Sequence, residues 1–243
     1  MRKWTKAIFV TGAVVFAVML SGGACMAKSD IKNAEIEQAR QATEKICMGM
    51  KPYLERPDLL KGIKVTDESE INAYADQNNT ITFFSGMLDF VRDDNEIAVV
   101  CGHEMAHVSA QHIKRSIFNS IASEVLSQGV GGVLGNVAGS ALASKQSRKH
   151  EREADARGLL YMWLAGYDPR SAWKFWNAMA NKMQSGDAAV QKYFGSHPVD
   201  KERIENFKVL LVRDCKQYPN LKYCDEIMAD KDLLNLYNSF ESR

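Results

Sequence analysis

The chain has 243 residues, of which 46% are hydrophobic and 25% are charged, and its formal net charge is +1 with neutral histidines. This composition suits a single globular domain. The even balance of charges, with no basic patch, argues against a nucleic-acid partner.

The first 27 residues differ in composition from the rest of the chain. Three basic residues precede an apolar run over residues 7–20, and small residues follow it. This pattern predicts a secretory signal peptide, because the run is shorter than the roughly 20 residues that a membrane span needs. We therefore expect export, cleavage after Ala27 and a single domain over residues 28–243. An uncleaved anchor and a lipid anchor on Cys25 are the alternatives, although the leucine that usually precedes a lipidated cysteine is missing.

A helix and three short strands are predicted next. Apolar residues at helical spacing predict an amphipathic helix over residues 30–50. Strand-forming residues then predict three strands, which are 63–67, 71–76 and 80–86. We expect them to form a small antiparallel sheet beside the following helix. The candidate edge of this sheet, where an extended substrate peptide would add by backbone hydrogen bonds, comprises Asn72, Ala73 and Tyr74.

The most informative motif is the pentapeptide His-Glu-Met-Ala-His at residues 103–107. A capping pattern at residues 93–96 and the apolar spacing that follows predict that the motif lies on a helix. On a helix His103 and His107 share one face and can bind one metal ion. Glu104 points about 100° away, where it can reach a water on that ion. The motif therefore predicts zinc with a general base beside it, and the alternative is a helix with two ordinary histidines.

A stretch rich in small residues follows, over residues 116–146. Gly131, Gly135 and Gly139 repeat every four residues, which is a spacing typical of closely packed helices. Polar residues within the stretch argue against a membrane span. Two interpretations stay open, namely a helical hairpin and a mobile flap over the metal site.

The segment at residues 149–158 offers a third ligand. It is rich in helix-forming residues, and Glu151 and Asp155 are four residues apart, so both lie on one face. Glu151 could bind the metal while Asp155 supports a ligand histidine from behind. By charge alone, the acidic cluster would instead be a solvated face paired with neighbouring basic residues.

A further helix is predicted to start at Pro198 and to extend to residue 212. His197 precedes this helix and Arg203 lies within it. Their positions alone indicate no more than surface residues near a helix start.

Four cysteines follow residue 27 and permit three full pairings. Cys215 and Cys224 flank a short polar loop, and we favour a disulfide between them. Cys101 lies in the motif helix, where it is interpreted as a small core residue.

These motifs, in this order, resemble those of the gluzincin peptidases of family M48. Residues 151–155 match its Glu-x-x-Ala-Asp element, and residues 71–75 resemble its edge strand. Residues 84–88 resemble the stretch before its motif helix, and residues 196–203 a late Ser-His-Pro element with an arginine. The family includes type I CaaX prenyl proteases, HtpX heat-shock proteases and periplasmic outer-membrane quality-control proteases.

The resemblance implies a mainly helical α+β fold of the zincin type and a zinc metalloendopeptidase with one Zn²⁺ per chain. The implied zinc ligands are His103, His107 and Glu151. Asp155 would support a ligand, and Glu104 would be the base. His197 and Arg203 would stabilise the oxyanion, and His197 would also be able to approach the zinc in a resting state.

Export together with this resemblance predicts a location in the periplasm or on the membrane surface that faces it. The expected substrates are misfolded envelope proteins. The alternative is a periplasmic chaperone or assembly factor whose protease site stays latent behind the glycine-rich segment or behind His197. A purely structural metal site is disfavoured, because such sites normally close with four protein ligands.

Overall fold

The computed structural model describes residues 28–118, 133–198 and 200–242, and helices make up most of them. In chain order the elements are α1 (Lys28–Met50), β1 (Gly62–Thr66), β2 (Ala73–Ala75), β3 (Thr80–Phe84), α2 (Ser85–Phe90), α3 (Asp94–Ser109), α4 (Val133–Leu164), α5 (Arg170–Gln184), α6 (Gln191–Ser196), α7 (Lys201–Gln217), α8 (Cys224–Ala229) and α9 (Lys231–Glu241). Residues 112–118 are also helical. Short 3₁₀ turns occupy Lys51–Tyr53 and Ala188–Val190. The predicted mainly helical fold with one small sheet is confirmed.

The sheet has the strand order β1–β3–β2 among the described residues. β2 pairs with β3 antiparallel, as predicted, through a tight turn in which Asn79 has a φ of 61°. The prediction that the whole sheet is antiparallel is wrong, because β1 and β3 are parallel. The reason is topological: the chain reverses between β1 and β2 and again between β2 and β3, so two reversals restore the first direction. β2 therefore lies at an edge.

Helix α3 runs through the hydrophobic core, and every residue from Glu96 to Ser109 is buried. It begins as predicted, since the Asp93 carboxylate accepts a hydrogen bond from the backbone N–H of Glu96. The Glu96 carboxylate in turn accepts from the backbone N–H of Arg92. This reciprocal capping fixes the start of the helix and hence the positions of the motif side chains two turns later.

Helices α3 and α4 meet backbone to backbone where two glycines face each other. A Cβ on Gly158 would lie 2.6 Å from the carbonyl carbon of Gly102 and 2.7 Å from the backbone nitrogen of His103. A Cβ on Gly102 would lie 2.5 Å from the carbonyl oxygen of Gly158. No residue with a side chain fits at either position without moving a helix. The glycine pair therefore brings the two predicted ligand-bearing helices to their closest separation.

Within the described residues, two disulfides connect the helices. Cys215 of α7 bonds to Cys224 of α8, which confirms the favoured pairing. Cys47 of α1 bonds to Cys101 of α3, with their Cα atoms 5.6 Å apart. Cys101 is thus a disulfide partner as well as a fully buried core residue. The second bridge anchors α1 to the motif helix two residues before His103.

Two predictions concern residues that lie outside the described ranges. They are the signal peptide at residues 1–27 and the flap, whose centre is residues 119–132, and both stay predictions. Residues 133–146 form the beginning of α4. In the described part of the chain, no helix combines the length and the apolar character that a membrane crossing requires.

Candidate metal centre

The two motif histidines converge on one point. His103 and His107 lie one turn apart on α3, and their Nε2 atoms are 3.1 Å apart. His103 has 2% of its surface exposed and His107 has 8%. The helical spacing alone accounts for this convergence, because residues four apart share a face.

Glu151 reaches the same point from α4. Its Oε1 lies 3.3 Å from Nε2 of His107, and its Oε2 lies 3.3 Å from Nε2 of His103. Gly158 lies two turns further along α4, where it contacts α3 directly. The close approach of the two helices therefore carries the Glu151 carboxylate to the histidines.

His197 is the fourth residue of this group and supplies its third nitrogen. Its Nδ1 lies 3.1 Å from His103 Nε2 and 3.1 Å from Glu151 Oε2. Ligand atoms of His103, His107, Glu151 and His197 all lie within 4.8 Å of one another, and all four residues are buried. Two loop features position the ring: α6 ends at Ser196, and the backbone N–H of His197 donates to the carbonyl oxygen of Tyr193.

The spacing of these atoms fits a tetrahedral zinc ion. Nitrogen and oxygen ligands about 2.0–2.1 Å from zinc lie about 3.3 Å apart at tetrahedral angles; five distances within this group are 3.1–3.3 Å, and its ligand atoms all lie within 4.8 Å of one another. Imidazole nitrogens and a carboxylate are also the ligands that zinc prefers. A cation at the centre of the group would separate lone pairs that otherwise face one another. The donor set and its spacing thus fit the predicted metal.

Behind the ligands lies a buried ion pair between Asp155 and Arg203. Asp155 Oδ1 lies 3.0 Å from Nδ1 of His103. Arg203 donates to both oxygens of Asp155, and its Nη2 also lies 3.1 Å from Oε2 of Glu151. A third nitrogen of Arg203 donates to the carbonyl oxygen of Pro198. The three guanidinium nitrogens of Arg203 therefore all contact residues that lie behind the ligand atoms or belong to them, and Glu104 is not among these partners.

The charges of this group alter its proton affinities. Burial opposes ionisation, but Arg203 outweighs burial and lowers the pKa of Asp155. Burial also opposes the charge on Glu151, and hydrogen bonds from the histidines hold the pKa of Glu151 far below its usual range. Burial lowers the pKa of His103, yet Asp155 and Glu151 raise it on balance to about 9. The carboxylates thus stay ionised, which is the form that binds a metal.

Glu104 is held by the sheet. Its Oε2 accepts a hydrogen bond of 2.9 Å from the backbone N–H of Ala75 in β2. Its Oε1 lies 3.4 Å from Nε2 of His197 and is buried without a hydrogen-bond partner among the described residues. Burial raises the pKa of the Glu104 carboxyl. One oxygen is therefore oriented by the backbone, and the other is available for proton transfer.

The predicted substrate-binding residues lie on and beside strand β2. Asn72 pairs with β3 through its carbonyl oxygen, which accepts from the N–H of Phe84. Because backbone groups alternate along an antiparallel strand, those of Ala73 point away from β3, although Ala73 itself is fully buried. Tyr74 is 39% exposed and packs edge-to-face on Phe84. The Asn72 side chain is buried instead, and its Oδ1 lacks a hydrogen-bond partner in the described parts of the chain.

The sequence prediction missed His112, which contacts His107 through ring nitrogens 2.9 Å apart. On a continuous helix, residues five apart lie about 140° apart and would not meet. Here α3 ends at Ser109, and Gln111 adopts a left-handed φ of 55°, which turns the chain back. The signal for this turn is tertiary, since glutamine has no special preference for that conformation.

The chain is also similar to known proteins. Residues 44–210 match the family described as Peptidase family M48, so the match covers more than half of the chain. The chain belongs to peptidase family M48. The predicted family is thus confirmed, and the buried ligand cluster lies within the matched region of this M48 chain.

Three relatives of this M48 chain are metallopeptidases by name. The mitochondrial metalloendopeptidase OMA1 of Arabidopsis thaliana is 35% identical over 146 residues, covering 58% of this chain and 30% of the relative. OMA1 of Saccharomyces cerevisiae is 29% identical over 199 residues, covering 76% and 55%. Metalloprotease LoiP of Escherichia coli is 41% identical over 54 residues, covering 22% and 21%. The matches therefore span about half or less of these relatives.

The relatives correct one prediction. Two of these three M48 proteins are mitochondrial enzymes by name, which contradicts the periplasmic location expected from the N-terminal pattern. A charged segment followed by a short apolar run is a weak signal of destination, because its composition does not distinguish one membrane system from another.

Proposed function

We propose that this chain is a zinc-dependent metalloendopeptidase. The observation that carries the proposal is the placement of Glu104 beside four buried residues whose ligand atoms lie within 4.8 Å of one another. His103, His107 and Glu151 would hold the zinc. Zinc bound there supplies Lewis acidity, which lowers the pKa of water and polarises a peptide carbonyl.

Glu104 is the proposed general base. Its Oε1 takes a proton from the attacking water, and the same oxygen then delivers that proton to the leaving amine. The hydrogen bond from Ala75 holds Oε2 throughout, so the carboxylate cannot rotate away between the two transfers. Burial raises the pKa of Glu104 and strengthens it as a base.

Arg203 and Asp155 act as positioning residues in this proposal. The contacts of Arg203 with Asp155 and Glu151 support the idea that it orients these carboxylates. Asp155 in turn fixes the ring of His103, whose Nδ1 it contacts. Direct contact of Arg203 with the oxyanion, which the family resemblance implied, is replaced by this indirect role.

His197 closes the site in the conformation described. As a fourth ligand it would complete the coordination of zinc, and a closed site has no position for water. Proteolysis then requires the His197 ring to leave its Nδ1 contact with Glu151 and to move towards the substrate. There His197 can donate a hydrogen bond to the developing oxyanion. This supports a resting state that substrate binding opens.

Unfolded or misfolded polypeptide is the substrate class that fits the open edge of the sheet. The backbone groups of Ala73 point away from β3, and an extended segment would pair with them once this buried residue becomes accessible. A folded protein hides its backbone in its own secondary structure, so it cannot add to β2. The exposed ring of Tyr74 offers a contact for a substrate side chain.

The decisive experiment combines metal analysis with digestion of unfolded casein. The parent protein is expected to bind one zinc per chain and to cleave casein, and a chelator should stop cleavage. Glu104→Gln should keep the zinc and lose activity, whereas Glu151→Ala should lose most of the zinc. Near-normal cleavage by Glu104→Gln would rule out this residue as the base.

A second candidate function is that of a chaperone or assembly factor with a latent protease site. The fourth donor from His197 favours it, because a closed metal site is typical of structural zinc. His197→Ala distinguishes the two functions. Protease action predicts that this variant cleaves casein at an altered rate and remains zinc-dependent. Suppression of casein aggregation by parent and variant alike, with no cleavage by either, would favour the chaperone.

A further inference from the structure

We propose that His112 is a positioning residue that fixes the tautomer and orientation of His107, and that Glu153 completes this relay. The inference rests on the proposed function, since it concerns the metal-binding face of His107. It assigns to His107 the support that Asp155 gives to His103. None of the motifs that define the site contains His112.

The contacts form a continuous chain away from the metal ligands. Nδ1 of His107 lies 2.9 Å from Nδ1 of His112. Nε2 of His112 lies 3.2 Å from Oε2 of Glu153. Glu153 is itself paired with Arg157, at 2.8 Å. The left-handed turn at Gln111 aims the His112 ring at His107.

The protons along this chain can be placed in one way. Nε2 of His107 faces the ligand cluster and must carry a lone pair to bind metal, so its proton sits on Nδ1. That Nδ1–H donates to Nδ1 of His112, which must therefore be unprotonated. The remaining proton of His112 sits on Nε2 and donates to Glu153. The carboxylate thus selects one tautomer of His112, and His112 selects one tautomer of His107.

The packing around His112 restrains its ring. His112 is 2% exposed, and it stacks on His150 with ring centroids 4.2 Å apart and planes 12° apart. His150 precedes Glu151 directly in α4. The ring cannot tilt without disturbing α4, so its Nδ1 stays in line with His107. Loss of His112 would leave the Nδ1–H of His107 buried without an acceptor.

The first test measures zinc affinity by competition with a chromophoric chelator. His112→Phe keeps a flat ring but removes both nitrogens, and it should weaken zinc binding by about 10–100-fold, as loss of an outer hydrogen bond does elsewhere. His112→Asn retains an acceptor near the position of Nδ1 and should recover most of that loss. His150→Phe is the matched control, because it makes the same change in the neighbouring ring and keeps a flat ring to stack on His112, and its zinc affinity should stay within about 3-fold of the parent.

The second test uses the parent protein and does not depend on the folding of a variant. In nitrogen NMR of the zinc-loaded protein labelled at its histidines, we expect a proton on Nδ1 of His107. A scalar coupling should connect this nitrogen to Nδ1 of His112 across the hydrogen bond. A proton on Nδ1 of His112, or no coupling between the two nitrogens, would overturn the inference.

The outcomes separate this inference from the proposed function. A parent protein that binds no zinc and cleaves no casein contradicts the proposed function itself. A parent protein that does both, while His112→Phe binds zinc as tightly as the parent, overturns only the role of His112. Equal losses of zinc affinity in His112→Phe and His150→Phe would also overturn the role of His112, because they would indicate a general packing effect.

Discussion

The glycine contact between α3 and α4 makes a sharp prediction for Gly158→Ala. The added Cβ would lie 2.6 Å from the carbonyl carbon of Gly102, whereas ordinary contacts begin at 3.4 Å. Both sides of the contact are backbone, so no side chain can rotate away. The helices must therefore separate by about 0.8 Å, and Glu151 moves with α4 relative to His103.

Two opposing terms set the expected change in the free energy of unfolding. Alanine gains about 1 kcal/mol over glycine from its helix propensity. Overpacking at a rigid contact costs about 1–3 kcal/mol, and the backbone character of this contact favours the upper end. We expect Gly158→Ala to lower the free energy of unfolding by about 2 kcal/mol. A displacement of nearly 1 Å between a ligand and its partners should also reduce kcat/KM by about 100-fold.

The assay is urea unfolding of the chelated protein together with casein hydrolysis by the zinc-loaded protein. Gly49→Ala is the matched control, since Gly49 also lies in a helix and a Cβ there meets nothing within 4 Å. The control should be as stable as the parent or up to about 1 kcal/mol more stable, with unchanged activity. If Gly158→Ala behaved like the control, the close contact would not determine the helix separation.

Three further predictions follow from single contacts. Ala75→Pro removes the N–H that orients Glu104; kcat should fall by about 10–100-fold with full zinc occupancy, and an unchanged kcat would contradict that role. Arg203→Lys keeps the charge but loses the two-pronged contact, so zinc affinity should fall by about 10-fold in a chelator competition. Burial raises the pKa of Asp214 against the opposing effect of Arg213, which donates to Oδ1, while Oδ2 has no partner in the described residues. Because the raised pKa means that ionisation destabilises the fold, Asp214→Asn should add about 1 kcal/mol at pH 7, with a gain that shrinks towards pH 4, whereas Asp58→Asn at an exposed position should change the stability little at pH 7.

Within single elements, the sequence predictions were accurate. The spacing of His103 and His107 predicted their shared face, and the Asp93 cap predicted the start of α3. These features depend on residues within one or two helical turns, where a regular period applies. The Cys215–Cys224 bridge spans nine residues and was likewise predictable.

Relations between elements were predicted less well. The direction of β1 depends on how the chain passes across the sheet, and the periodicity of a strand carries no information about its neighbour's direction. The position of Arg203 in the sequence does not indicate its partner, and only the packing of α7 against α4 brings its guanidinium to Asp155. The predicted location failed for a different reason, since an N-terminal composition is read by cellular receptors rather than by folding.

By itself, the sequence predicted which side chains of this protein would hold a metal and which would act as a base. The motif helix, the carboxylate pair on α4 and the family followed from local spacing and order. The resemblance implied that His197 can approach the metal, and tertiary structure placed its ring beside the other ligand atoms; tertiary structure alone decided that Ala75 donates to Glu104 and that His112 contacts His107. Each of these contacts joins segments distant in sequence or separated by a left-handed turn, so its geometry depends on helix separations and turns that no short pattern encodes.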